Sequence, residues 1–227
     1  ADWSYSSGSI SGPPDVARHW EEAGKYYDMP IDGDVWLEDP LESSYPPSIA
    51  FKAAQIQGEE KALCFLRKIK EMVFLGKKNI ARWEHLDHAA SETGLDRVKF
   101  KQDYEGKAKA LFLEDLELGK KRGIRGFPTL IFTGDSANQQ VVYGAKPYAA
   151  MEQALLQLVP GAVKKGYETT WSYLFLKFPS LTTREFAELS GRTRQDAEEV
   201  LRQLAAENRL NELVSKNGSL WKRRPED

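Results

Sequence analysis

Apolar positions recur at helical spacing over most of this 227-residue chain, and at strand spacing in only a few short stretches. Residues 1–14 are rich in Ser and Gly and end in Pro13-Pro14, which reads as an irregular or frayed edge segment. Asp15 is placed to cap a helix to about residue 27, with Val16, Trp20 and Ala23 on one face. Residues 29–47 hold four prolines and no clear period, so they read as a loop with Trp36 and Leu37 tucked against the core. Ser48 opens a helix to residue 57, closed by Gly58 as its C-terminal cap. The next helix, 59–75, turns Ala62, Phe65, Leu66, Ile69, Val73 and Phe74 inward and Lys68, Lys70 and Glu71 outward. A helix over 82–93 points Trp83, Leu86, Ala89 and Ala90 inward and stops at Gly94. Asp96 caps a short helix bearing Val98 and Phe100, and Gly106 separates it from a helix over 107–122 with Ala108, Leu111, Phe112 and Leu118 as its stripe.

The pattern then changes. Gly123-Ile124-Arg125-Gly126-Phe127-Pro128 is a glycine-punctuated loop, and Thr129 to Phe132 is a short apolar strand. Glycines at 123 and 126 permit an abrupt turn, and Pro128 suits the first position of a strand, where no ladder donor is needed. An X-Pro bond in such a turn is a place for a cis peptide. Residues 134–139 form a turn to a second short strand, Val141-Val142-Tyr143, and Pro147 starts a helix to 159 with Met151, Leu155 and Leu158 inward. Pro160-Gly161 marks a boundary. Beyond it, Thr182 or Thr183 caps a helix carrying Phe186, Ala187 and Leu189, and Thr193 caps a longer one carrying Ala197, Val200, Leu201 and Leu204. Asn217-Gly218 between two short β-rich runs signals a hairpin.

Composition adds limits. With 41% hydrophobic and 29% charged residues the chain reads as an ordinary globular protein able to bury a good core. A net charge of −2 argues against general attraction to nucleic acid or an anionic membrane, and no apolar run is long enough to span a bilayer. There is no signal peptide, and the first residues look like neither a start nor a targeting segment. A single cysteine, Cys64, excludes an internal disulfide framework and suits a reducing compartment; set among Leu63 and Phe65 it reads as a small buried hydrophobe. His85 and His88 lack further ligands nearby and read as surface histidines, so no metal or other cofactor is assigned. Lys120, Lys121 and Arg122 end a helix, where positive charge complements its dipole. Between 193 and 209, Arg194, Arg202 and Arg209 face Asp196, Glu198, Glu199 and Glu207, an acidic balance unsuited to a helix in a DNA groove.

The loop-Pro-strand, with a helix before it and a hairpin and helix after it, resembles the cis-proline loop and second half of a DsbA-type thioredoxin fold, with a helical insertion ahead of it. The strand and helix that would carry Cys-x-x-Cys in such a fold are not in this sequence. The helix, helix, helix, hairpin order at the end resembles a winged helix. The expected fold class is therefore α/β and mostly helical: a partial DsbA-like thioredoxin domain over 1–160, with a helical insertion over about 15–117, and a winged-helix-like domain over 163–227. The runs Asp34-Val35-Trp36, Ala50-Phe51-Lys52-Ala53-Ala54-Gln55-Ile56-Gln57-Gly58 and Lys77-Lys78-Asn79-Ile80 are similar to the FrnE group. Together with Lys216-Asn217-Gly218-Ser219-Leu220-Trp221-Lys222 at the end, the chain resembles the YjbH (SpxH) family.

That resemblance implies a cytoplasmic, non-enzymatic adaptor that binds the regulator Spx and promotes its degradation by ClpXP, with ClpX as a further partner. Family members carry a histidine-rich start and usually a cysteine pair, and no residue here is assigned to either. Two alternatives remain: a FrnE-type thiol-disulfide oxidoreductase whose Cys-x-x-Cys lies in the missing segment, and a glutathione-using isomerase of related fold. For an adaptor, Arg125, Gly126, Phe127 and Pro128 are the candidate partner-binding residues, since partners of thioredoxin folds approach beside the cis-proline. A competing structural reading packs Phe127 inward and leaves Arg125 merely solvated.

Overall fold

The computed structural model describes residues 12–135 and 138–224, so the segment expected to be irregular at the start lies mostly outside the described residues. The described residues form two compact units, one joining those up to 112 with those from 168 onward, the other lying within 113–167.

In the first unit a helical body is built from α1 (Pro13–Tyr27), α2 (Val35–Glu38), α3 (Tyr45–Gln55), α4 (Glu59–Phe74), α5 (Trp83–Glu92), α6 (Arg97–Glu105) and the start of α7 (Lys107–Lys121). Small residues let these helices approach closely: Ala50, Ala53, Ala54, Ala62, Ala89 and Ala90 are buried around Phe65, Leu86 and Phe100. Trp83 stacks on Phe100 with ring centroids 5.7 Å apart, and Trp20 meets Trp36 edge-on at 5.4 Å. Gly33 brings the segment after α1 against the helix itself. A Cβ there would lie 2.3 Å from the Ala17 carbonyl oxygen.

Several expectations are corrected here. Pro13 and Pro14 do not precede α1 but begin it, since the first helical positions need no amide donor. The same reason lets α3 start at Tyr45, with Pro46 and Pro47 in its first turn, rather than at Ser48. Gly58, at φ 123°, is the N-cap of α4 and not the C-cap of α3. Trp36 is buried as expected, but Leu37 is exposed, because a helix turns successive side chains by about 100° and α2 buries the side that carries Val35 and Trp36. Val98 and Leu118 are likewise exposed, while Phe100, Ala108 and Phe112 are buried as expected. Cys64 is exposed and not a core residue: Ala62, Phe65 and Ile69 define the inward face of α4, and Cys64 lies on another.

The C-terminal part of this unit runs α9 (Trp171–Lys177), β3 (Ser180–Thr182), α10 (Thr183–Ser190), α11 (Arg194–Ala206), β4 (Leu210–Ser215) and β5 (Gly218–Arg223). Strand β5 is central, with β3 and β4 antiparallel on either side. Ser215 pairs with Gly218, so the two turn residues are Lys216 and Asn217, one position earlier than the sequence suggests. Thr182 caps α10 with a full capping box: its hydroxyl accepts from the Glu185 amide, and the Glu185 carboxylate accepts from the Thr182 amide. A second core gathers Leu174, Phe175, Phe186, Leu201, Leu210 and Trp221. The Trp221 indole N–H donates to Thr183 Oγ1 at 2.9 Å, satisfying a buried donor.

Two polar clusters hold this segment to the helical body. Arg67 of α4 donates to both Glu185 oxygens, at 2.7 and 2.9 Å, and to the Ser180 carbonyl at 3.2 Å. Glu71 lies beside them, accepting from Arg67, Ser180 and Lys222. In the second cluster Lys216 Nζ donates to Glu21 and Asp34 at 3.0 and 2.9 Å, while Asn217 donates to Glu21 and the Ile31 carbonyl, each at 2.7 Å.

The second unit holds β1 (Thr129–Thr133) and β2 (Gln139–Tyr143), paired antiparallel from Thr129↔Tyr143 to Thr133↔Gln139, and α8 (Tyr148–Leu158). Both strands run longer than the apolar residues alone indicate. On α8 it is Ala154 that is buried, whereas Leu155, expected inward, is exposed. No helix among the described residues is long and apolar enough to cross a membrane.

Candidate partner-binding loop

The loop between α7 and β1 is shaped by backbone chemistry at both ends. Gly123 takes φ 66°, and the amides of Gly123 and Ile124 donate back to the carbonyls of Lys120 and Gly119, at 2.9 and 3.0 Å. That is a Schellman ending, and the left-handed position at its centre favours glycine. At the other end the Phe127–Pro128 peptide is cis, as the turn suggested. Thr129 Oγ1 donates to the Gly126 carbonyl at 2.7 Å, and the Gly144 amide donates to the Pro128 carbonyl at 2.9 Å. The first bond closes the loop on itself and the second ties it to the end of β2.

What this scaffold presents is a bare aromatic ring. Phe127 is 90% exposed, and Arg125 and Pro128 are exposed beside it. The inward reading of Phe127 is therefore overturned: its ring faces outward. Gly126 is a close-approach position, since a Cβ there would lie 2.4 Å from the Tyr143 hydroxyl. Tyr143 itself is 60% exposed and Val141 on the same strand is exposed too, so the apolar surface extends from the loop onto β2. The four residues nominated from the sequence thus sit together; Tyr143 and Val141 join them, and their alternation on β2 was the signal that could have found them. Among the described residues each strand of this sheet has one paired neighbour, which leaves open edges.

Glu21, Asp32 and Asp34 bring carboxylate oxygens together in the helical body, and the cation in that group is Lys216. Burial works against the charge on Glu21, yet the Gly33 amide, Asn217 and Lys216 outweigh it and bring its pKa down to about 2. Lys216 is raised by its bonds to Asp34 and Glu21. His85 uses Nδ1 on the Asn79 carbonyl at 2.8 Å, and His88 lies exposed near Glu92.

A sequence model of the thioredoxin family matches residues 2–153. The ClpXP adapter protein SpxH of Halalkalibacterium halodurans is 32% identical over 226 residues, covering 97% of this chain and 74% of that protein. The chain belongs to the SpxH family. Its Bacillus subtilis relative, also named ClpXP adapter protein SpxH, is 30% identical, covering 91% of this chain and 71% of its own length. Among solved structures, a candidate protein disulfide isomerase from Nitrosomonas europaea aligns with TM-score 0.58 at 20% identity, over 65% of this chain and 73% of its own. The cytosolic disulfide reductase DsbM from Pseudomonas aeruginosa aligns with TM-score 0.50 at 23% identity, over 58% and 67%. At these identities the likeness is one of fold: a mostly helical, thioredoxin-like α/β architecture in which this SpxH-family chain places an aromatic loop. The disulfide chemistry in those two descriptions is their own.

Proposed function

We propose that this protein is a cytoplasmic adaptor that binds Spx and promotes its degradation by ClpXP, performing no chemistry of its own. The observation that carries the reading is near full-length similarity, 32% over 97% of the chain, to a protein named ClpXP adapter protein SpxH. The exposed Phe127 and Arg125 supply what an adaptor needs, an accessible surface bearing the residue types that dominate interface hot spots. Spx docks on this loop, against the cis-proline and the open sheet edge, with ClpX as a further partner. The C-terminal segment is a winged-helix-like domain that works in protein contact and not on DNA.

A reconstituted reaction tests this. Purified Spx with ClpXP is expected to disappear several-fold faster when the chain is added, and an unchanged Spx half-life overturns the reading. The loop is tested separately by Arg125→Glu. Reversal of an exposed charge leaves stability within about 0.5 kcal/mol. A hot-spot arginine at this position costs about 2 kcal/mol or more of Spx affinity. Unchanged affinity in a variant with an unchanged melting temperature moves the docking site off the loop.

A further inference from the structure

Helix α4 carries a second usable face. Glu60, Leu63, Cys64 and Arg67 recur at three- and four-residue spacing on the side away from Ala62, Phe65 and Ile69. With α10 and the 178–181 connection, that face walls an open groove of about 690 Å³ whose lining is mostly apolar. Leu63 is 54% exposed in it, and Phe178 and Cys64 are exposed as well. Its floor is fixed by the bidentate Arg67–Glu185 pair, so the walls are held apart by a contact that is already satisfied. Arg184 is likewise paired with Glu188. Glu60 and Lys177 are different: both line the groove, and among the described residues neither has an ion-pair partner. An apolar trough between helices, with one unpaired carboxylate and one unpaired ammonium on its walls, fits an amphipathic helix of complementary charge.

We infer that the groove between α4 and α10 receives an apolar-faced helix of the bound client, bearing a basic residue opposite Glu60 and an acidic residue opposite Lys177. The inference rests on the adaptor reading above and adds a second contact to it, in the unit that does not carry the Phe127 loop. Cys64 supplies a built-in reporter, because it is the chain's one cysteine and lies on the groove wall.

The experiment uses the full chain with purified Spx as the probe. Affinity is measured first, then the rate at which iodoacetamide alkylates Cys64 with and without saturating Spx. Bound Spx is expected to slow alkylation about ten-fold or more, and Leu63→Asp to weaken Spx binding by about ten-fold, as truncation of a central interface anchor does. Glu60→Lys and Lys177→Glu are expected to weaken it by about five-fold each, with melting temperatures unchanged. Spx that binds normally while Cys64 stays equally reactive and Leu63→Asp has wild-type affinity overturns the groove and leaves the adaptor reading intact. Protection by ClpX but not by Spx overturns the assignment of the occupant. Failure of the wild-type chain to bind Spx at all overturns both readings together.

Discussion

Gly33 holds the closest backbone approach among the glycines of the helical body. Its amide donates to Glu21 at 3.0 Å while its α-carbon leaves room for the α1 backbone, and a methyl would meet the Ala17 carbonyl oxygen, carbon and Cα at once. These are backbone atoms that cannot swing aside, so Gly33→Ala is expected to destabilise the chain by about 1–3 kcal/mol, the range of overpacking in a tight core. Chemical denaturation measures this, and a loss below about 0.5 kcal/mol contradicts the close approach. Nothing in a sequence distinguishes such a glycine from one that merely punctuates a loop. The placement of Cys64 and Phe127 escapes the sequence for a related reason. An apolar residue beside apolar neighbours says nothing about which way its own side chain points, and both Cys64 and Phe127 face outward.

At the scale of elements, chemistry that acts within one turn was legible. Asp96, Thr182 and Thr193 all accept from amides at their helix starts, and Gly123 ends α7 as a left-handed cap. Thr182→Ala removes the acceptor for the Glu185 amide and breaks one half of the capping box. Its expected cost is about 1 kcal/mol, read as a lower denaturation midpoint with unchanged slope. What stayed hidden were elements too short to carry a period: the four residues of α2 and the three of β3. Their existence depends on partners far along the chain, as β3 depends on β5. The acidic balance of α11 was legible, and its meaning sharpens in three dimensions. Arg194 is held by Asp28 and Glu198, and Arg202 by the same Glu198, so the cations of this helix are spent on internal pairs. Phosphate binding would have to break them. A mobility shift at moderate salt is expected to show no sub-micromolar complex with duplex DNA, and a tight, salt-sensitive complex contradicts the protein-contact role.

For the whole molecule, patterning carries the order of the elements and a family resemblance carries the fold class, but neither records the way the C-terminal segment is fastened to the helical body. Glu21 lies 195 positions from Lys216, and Arg67 lies 118 from Glu185; no local pattern records such pairs. These fastenings make stability depend on pH, and Glu21 sets the direction. Its carboxyl has an ordinary value of 4.5, and in the folded chain burial is outweighed by Gly33, Asn217 and Lys216 to bring it to about 2. A group depressed on folding contributes fully where it is ionised in both states, above pH 4.5. Between 4.5 and about 2 the unfolded chain takes up the proton first, and the contribution is lost as pH falls. Glu185, also held below its ordinary value by Arg67 against the opposing effect of burial, adds a loss of the same sign. Glu21→Gln separates the two. It keeps the side-chain shape and removes the charge that Lys216 pairs with, so the variant is expected to melt below the wild type at neutral pH. The two melting curves should then converge as pH is lowered from 4.5 toward 2, because the wild type loses by protonation what the variant never had. A constant difference in melting temperature across that window would mean that the Glu21 carboxylate acts through its shape and hydrogen bonds alone, and that its charge does not fasten the C-terminal segment to the helical body.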